Sequence, residues 1–478
     1  MSESIGKKQV VSSLWWKMLE RFLTQGVGLV VQIVLARILL PSDFGSMAIM
    51  VAIINYLGIF VQSGLSTTVI QRKNLDEEDV SSLLSMSLLL ALVLYVLLFI
   101  SAPLIGRIYE MEDIIWPIRI LSVSLFLSAI NSIQIGILSR HMKFRIIFSR
   151  SIISIVVAGL VAIYLALKGF GIWALVAYSL LNMAIVVITM SFVPEVKMKF
   201  GICWYKVKEL YSFSIKIIFT NLVSGGGDTL RTMVIGKKYT TTQLAFYDKA
   251  YTYSNTATQI VTASISGVLL PTFSRQQDDI ARLKEMVRRS MKLTAFLSFP
   301  LLLGLLVIAQ PLVLLLLTEK WAPCIPFLMI FCVLRLCGPV STIDKQVYYS
   351  LGRSDIGLYY EIGLLIANIT MLICMLNYGI MAIAIGATVV EFLGTFVIFI
   401  ISQHIFGYTL KERAKDYIKT IINSLIMVAA MWPISLLGLS NLVTIIIQCV
   451  IGFFVYYVMC KITKDDSLAY IKYIIRNK

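Results

Sequence analysis

Lys17, Arg21, Gln25, Gly28 and Gln32 follow one another at i, i+4, i+8, i+11 and i+15 within a long apolar stretch. A helix would put all five on one face. A charge at bilayer depth costs roughly 3 kcal/mol or more, so such a face must meet water, other protein or a charged molecule rather than lipid. About 200 residues later, Lys216, Thr220, Ser224, Asp228 and Arg231 repeat the pattern at i, i+4, i+8, i+12 and i+15. Arg335 is a further deep cation. Embedded charge that leans cationic suits an anion such as a phosphate or diphosphate. Two structural readings compete with this one. Arg231 can pair with Asp228 and Arg21 with Glu20, whereas Lys17 and Arg119 lie where they can snorkel. Glu20, Asp228, Glu361 and Glu391 are the carboxylates within the apolar stretches, either interhelical partners or the groups an ion-coupled process would titrate.

Other chemistry lacks raw material. The two histidines, His141 and His404, are far apart in sequence, and none of the seven cysteines forms a C-x-x-C pair. A metal site, a disulfide frame and histidine-based nucleophilic catalysis are therefore not expected. No Walker motif or other cofactor signature is present, so no catalytic residue and no cofactor is assigned.

The elements that must hold these residues are membrane helices. Of 478 residues, 58% are hydrophobic and 14% charged, with a mean hydropathy of +0.86, the composition of a polytopic membrane protein. The formal charge of +16 marks cytoplasmic loops rather than a nucleic-acid partner. MSESIGKKQV lacks the pattern of a cleaved leader and reads as a cytosolic tail. Runs of about 20 apolar residues predict an all-α fold of about fourteen spans between residues 12 and 461. With the N-terminus inside, 29 of the 42 basic residues fall on the cytoplasmic side and seven on the other, placing both termini in the cytoplasm.

The chain repeats itself. Asn55 and Asn255, and the turns that begin at Arg37 and Lys237, are offset by 200 residues. Pro103-Leu-Ile matches Pro311-Leu-Val and Gly171-Ile-Trp-Ala matches Gly379-Ile-Met-Ala, both offset by 208. These matches predict a six-helix lobe over 1–200, a second over 201–408, and two added helices with a cytoplasmic tail over 409–478. Parallel repeats of this kind pack around a cavity. The second and eighth spans, which carry Asn55 and Asn255, join the first and seventh as the most polar, and are expected to line it. Gly225-Gly226-Gly227 is expected to break or bend the seventh span.

The pattern W-K-x-L-E-R-x-x-x-Q-G from Trp16, the turn A-R-I-L-L-P-S-D-F-G from Ala36 and G-F-G-I-W-A-L-V from Gly169 resemble those of Wzx-type polysaccharide flippases of the colanic-acid type. These form the polysaccharide transport branch of the multidrug/oligosaccharidyl-lipid/polysaccharide exporter superfamily. The resemblance implies two six-helix lobes around a V-shaped cavity in the inner membrane. It implies transport, by alternating access, of undecaprenyl-diphosphate-linked oligosaccharide for exopolysaccharide, capsule or O-antigen synthesis. Membrane lipids, a polysaccharide polymerase and other biosynthesis proteins are the implied partners. Arg21 and Arg37 fall within the matched motif, whereas Lys216, Arg231 and Arg335 come from the stripes alone. The alternatives are an ion-coupled multidrug antiporter or a peptidoglycan lipid-precursor flippase of the same superfamily, and, further off, a membrane-embedded glycan polymerase or acyltransferase. A drug-cation antiporter would need an anionic cavity, and a polymerase or acyltransferase a large external loop or an intramembrane histidine.

Overall fold

The computed structural model describes residues 7–62, 69, 76–196, 198–274, 276 and 279–469, the side chains of 7–22, 208–214, 216–217, 260, 263–268, 270–272 and 354 excepted. The protein is all-α, with no strand among the described residues. Among those residues, eleven helices are long and apolar enough to cross a membrane. The three remaining helices expected to span are also long, 32, 35 and 34 residues, and are the ones that carry the polar stripes.

The chain divides into two compact units, Met1–Ala245 and Phe246–Lys478. The first holds α1 (Lys7–Ile38), α2 (Pro41–Gln62), α3 (Glu77–Tyr109), the short α4 (Ile115–Leu121), α5 (Ser124–Arg140), α6 (Phe144–Leu167), α7 (Ile172–Ser191) and α8 (Trp204–Lys238). In this unit α1 lies along α6, where Gly159 admits Val31, so closely that a Cβ would come within 2.6 Å of it. Helix α8 packs on α2 and α3, with Tyr56 donating to the Leu222 carbonyl at 3.5 Å and Tyr109 to that of Met233 at 3.3 Å. The segment between α7 and α8 is fastened to the start of α3. The amide of Cys203 donates to Ser82 Oγ at 3.0 Å and that of Gly201 to Ser85 Oγ at 3.1 Å, while Lys206 Nζ sits 3.1 to 3.4 Å from Asp76, Glu78 and Asp79. At helix ends, Glu110 meets Lys237 at 2.9 Å and Glu195 meets Lys143. In each case the hydrogen bond from the ammonium holds the carboxyl below its ordinary range.

The second unit holds most of α9 (Thr241–Ser274), then α10 (Ile280–Leu317), α11 (Cys324–Leu334), α12 (Cys337–Ser350), α13 (Ser354–Met375), α14 (Ile380–Phe406), α15 (Leu410–Met431) and α16 (Asn441–Ile462). Its core gathers Phe273, Met291, Phe299, Tyr348, Tyr408 and Tyr417. The two C-terminal helices α15 and α16 pack on α10 and on each other.

Two expectations are refined. The triple glycine neither breaks nor interrupts α8, which runs helical through Gly225-Gly226-Gly227, because packing on α2 supplies what glycine's weak propensity lacks. Breaks fall instead in the fourth span of each half: at Ser122-Val123 between α4 and α5, and at Arg335-Leu336 between α11 and α12.

Candidate functional site

Gln25 and Gln32 are half-buried on α1, and between them Gly28 faces the Tyr178 hydroxyl of α7 at 3.8 Å from a built Cβ. Asn55 is exposed on α2. The side chains of Arg21, Glu20 and Lys216 lie outside the described residues. Of the two expected pairs, the one that falls among the described side chains forms on α8, where Arg231 donates to Asp228 Oδ1 at 3.0 Å. The two are three residues apart, neighbours on a helix. The partners are unequal: the arginine side chain is 8% exposed and the carboxylate 55%. A cation thus sits inside while its counter-ion reaches outward, so an anion arriving at the Asp228 side meets a carboxylate that already shares the charge.

In the second unit, Asn255 is half-buried on α9. Arg335 occupies the break after α11, its guanidinium 4.3 Å from the ring centre of Tyr251 of α9. A cation over a ring keeps its charge partly satisfied without neutralising it, which leaves Arg335 able to meet an anion. Its Nε is buried without a hydrogen-bond partner among the described residues. Glu361 of α13 accepts from Lys345 of α12 at 2.6 Å, with side chains 13% and 24% exposed. Of its two sequence readings, interhelical partner or proton carrier, the geometry provides the first. Glu391 is half-buried on α14. Arg119 does not simply snorkel. Its Nε donates to the Phe99 carbonyl at 3.2 Å, which is the carbonyl that Pro103, four residues on in α3, has no N–H to serve.

Sequence reasoning passed over a buried charged cluster. Asp344 of α12 is absent from the four carboxylates read within the apolar stretches, and Arg413 is one of the 29 basic residues that the sequence places on the cytoplasmic side. The structure buries both, at 0% and 2% side-chain exposure. Arg413 forks onto Asp344 at 2.9 and 3.0 Å and lies 4.2 Å from the ring centres of both Phe399 and Tyr408. Asp344 also accepts from Ser402, 2.8 Å away. Beside them Asp416 receives Arg288 through two bonds of 2.8 and 2.9 Å and Tyr408 through one of 2.8 Å. A signal existed in the lone Asp344-Lys345 dipeptide within an apolar run, but its partner lies 69 residues away, beyond any helical periodicity. No group of three or more His, Cys, Asp or Glu side chains that could hold a metal occurs among the described residues.

A family model described as polysaccharide biosynthesis protein matches residues 34–326. The succinoglycan biosynthesis transport protein ExoT of Rhizobium meliloti (strain 1021) is 26% identical over 343 residues, 72% of this chain and 69% of that protein. The lipopolysaccharide biosynthesis protein WzxC of Escherichia coli (strain K12) is 23% identical over 397 residues, 80% of this chain and 77% of its own. Among solved structures, the lipid II flippase MurJ in its inward closed conformation superposes with a TM-score of 0.79 at 17% identity, covering 95% of this chain and 99% of that one. An inward-facing multidrug resistance MATE family transporter of the MOP superfamily gives 0.64 at 15%, covering 81% and 97%. These two likenesses are of fold.

Proposed function

Because the chain belongs to the polysaccharide biosynthesis protein family, we propose that it is a flippase for lipid-linked oligosaccharide, moving undecaprenyl-diphosphate-linked repeat units across the cytoplasmic membrane for surface polysaccharide synthesis. The observation that carries this reading is the sign of the deep charge in a chain of that family. Arg231 is buried with its carboxylate turned outward, and Arg335 lies over an aromatic ring with no ion pair among the described residues. Deep cations, one paired at the rim of the protein and one held over a ring, suit the diphosphate of such a lipid. A pump for organic cations would invert the sign.

The task needs no bond-making residue. The lipid tail stays in the bilayer, and only the sugar diphosphate head crosses, screened from hydrocarbon by the polar faces of α1, α2, α8 and α9. Gln25, Gln32, Asn55 and Asn255 supply hydrogen bonds to the sugar, while Arg21, Lys216, Arg231 and Arg335 meet the phosphates. Release requires each contact to be modest, which an arginine already shared with a carboxylate or a ring provides. If an ion gradient drives the cycle, Glu20, Asp228 and Glu391 are its carriers before Glu361, whose charge Lys345 already matches. Both termini lie in the cytoplasm, and the polysaccharide polymerase and other enzymes of the pathway are the protein partners.

Deleting the gene tests the reading. Surface polysaccharide should disappear while lipid-linked repeat units accumulate on the inner leaflet. Unchanged polysaccharide with raised sensitivity to cationic drugs would sink it in favour of a multidrug antiporter.

A further inference from the structure

Where α10 begins and α16 ends, the second unit has a cleft of about 530 Å³ lined by Glu285, Arg288, Arg289 and Lys292 on one side and Asp466 and Ser467 on the other. Both walls are built. Arg288 is held by its fork to Asp416, and Lys292 bridges Asp416 and Asp466 at 3.2 Å each. After α16 the chain reverses through Lys464, whose φ is 48°, with the Asp465 amide donating to the Cys460 carbonyl at 3.0 Å. Asp465 is buried and takes the Ser467 amide at 2.9 Å. Lys419 of α15 donates to the Lys464 carbonyl at 3.3 Å. The turn that presents Asp466 is thus fixed from beneath.

The depth of the cleft is legible along α10. Lys292 is the last charge before a run from Leu293 to Leu317 that carries none, so the cleft sits at the level where the helix enters hydrocarbon. The basic segments at this end place it on the cytoplasmic side. Lipid headgroups lie at that level.

The cleft carries both signs. Three cations line it with two carboxylates, of which Asp466 has a side chain 76% exposed and Glu285 is exposed with no ion pair among the described residues. A purely anionic headgroup would meet those carboxylates at a cost, and a quaternary ammonium would offer them no N–H. We propose that the cleft is a binding site for the headgroup of phosphatidylethanolamine, its phosphodiester against Arg288, Arg289 and Lys292 and its primary ammonium against Glu285 and Asp466. Basic pockets between membrane helices on the cytoplasmic side are established headgroup sites. The paired carboxylates narrow the choice to a lipid that carries a donor of its own.

The test uses the full-length protein in detergent micelles doped with phosphatidylethanolamine, phosphatidylcholine or phosphatidylglycerol of identical acyl chains, with bound lipid counted by native mass spectrometry across a titration. Phosphatidylethanolamine should bind about 10-fold more tightly than phosphatidylcholine, the worth of one charge-assisted contact. Glu285→Gln should erase that preference, and Arg289→Gln should weaken all three lipids alike. Both positions are exposed, and the wild-type comparison among the lipids stands without either variant. Equal binding of phosphatidylethanolamine and phosphatidylcholine overturns the proposal. So does tightest binding of phosphatidylglycerol, which would make the cleft a general anionic-lipid site. Displacement of the lipid by millimolar inorganic phosphate would mean that the cleft reads phosphate alone.

Discussion

At the scale of single residues, charges with similar sequence settings have different duties. Arg231 and Arg413 both face a carboxylate, but Arg413 and its partner are enclosed together whereas Asp228 stands in the open. Removing one member of an enclosed pair strands the other in low dielectric, at a cost of about 3–5 kcal/mol. Arg413→Ala should therefore collapse the thermal stability of the purified protein. The double change Arg413→Met with Asp344→Leu should recover most of it, because two apolar side chains can fill that space without a desolvation debt. A double variant no more stable than the single one would show that the bonds of Asp344 to Ser402, and not the pair, hold α12 and α14 together. Arg231→Ala should leave the melting temperature nearly intact and cut export of lipid-linked repeat units. A lost charge-assisted contact of about 2 kcal/mol corresponds to roughly 30-fold weaker binding. If adding Asp228→Ala to Arg231→Ala restores export, the pair is structural only and the proposed phosphate contact is wrong.

At the scale of elements, close approaches of backbone matter more than propensity. The first turns of α2 and α9 stand at repeat-related places in the sequence, and within the first unit they touch. A Cβ on Gly45 would lie 1.8 Å from the Thr241 carbonyl oxygen. No rotamer relieves a clash with backbone, so Gly45→Ala must displace the start of α9. The protein should reach the membrane in reduced amount, measured by quantitative immunoblot of membrane fractions. A normal level would mean that the two turns move apart freely. Proline offers a second case. Pro103 sits inside α3 without breaking it, and the Phe99 carbonyl it leaves unserved is taken by Arg119. Arg119→Leu should lower the melting temperature by the equivalent of about 1–2 kcal/mol, more than the loss of an exposed side chain would. Arg119→Lys should restore part of that loss, and no loss in either variant would show that water serves the carbonyl equally well.

At the scale of the whole molecule, the arrangement of charge makes a topological prediction. Reporter fusions at Lys199, Arg282 and Lys415 should read cytoplasmic, and those at Lys237, Lys320 and Leu439 should read external. These are opposite ends of the successive long helices that the structure describes. One deviant fusion would relocate a span, and a full reversal would defeat the orientation that the proposed direction of transport requires.

Hydropathy determined on its own that the chain is a helical membrane protein, because every spanning backbone must close its hydrogen bonds within itself. Motifs from Trp16, Ala36 and Gly169 carried the family resemblance, and helical periodicity placed Asp228 and Arg231 on one face because i and i+3 are neighbours wherever a helix forms. Only the tertiary structure decided what lies across from a residue on another helix. Tyr251 under Arg335, Lys345 beside Glu361 and Asp344 inside the fork of Arg413 join α9, α12, α13 and α15, and no local period encodes such meetings. The same limit explains the triple glycine, whose weak propensity is a property of the isolated segment. Its helical continuity through α8 belongs to the helix packed against it, since tertiary burial outweighs a propensity deficit of about 1 kcal/mol per glycine.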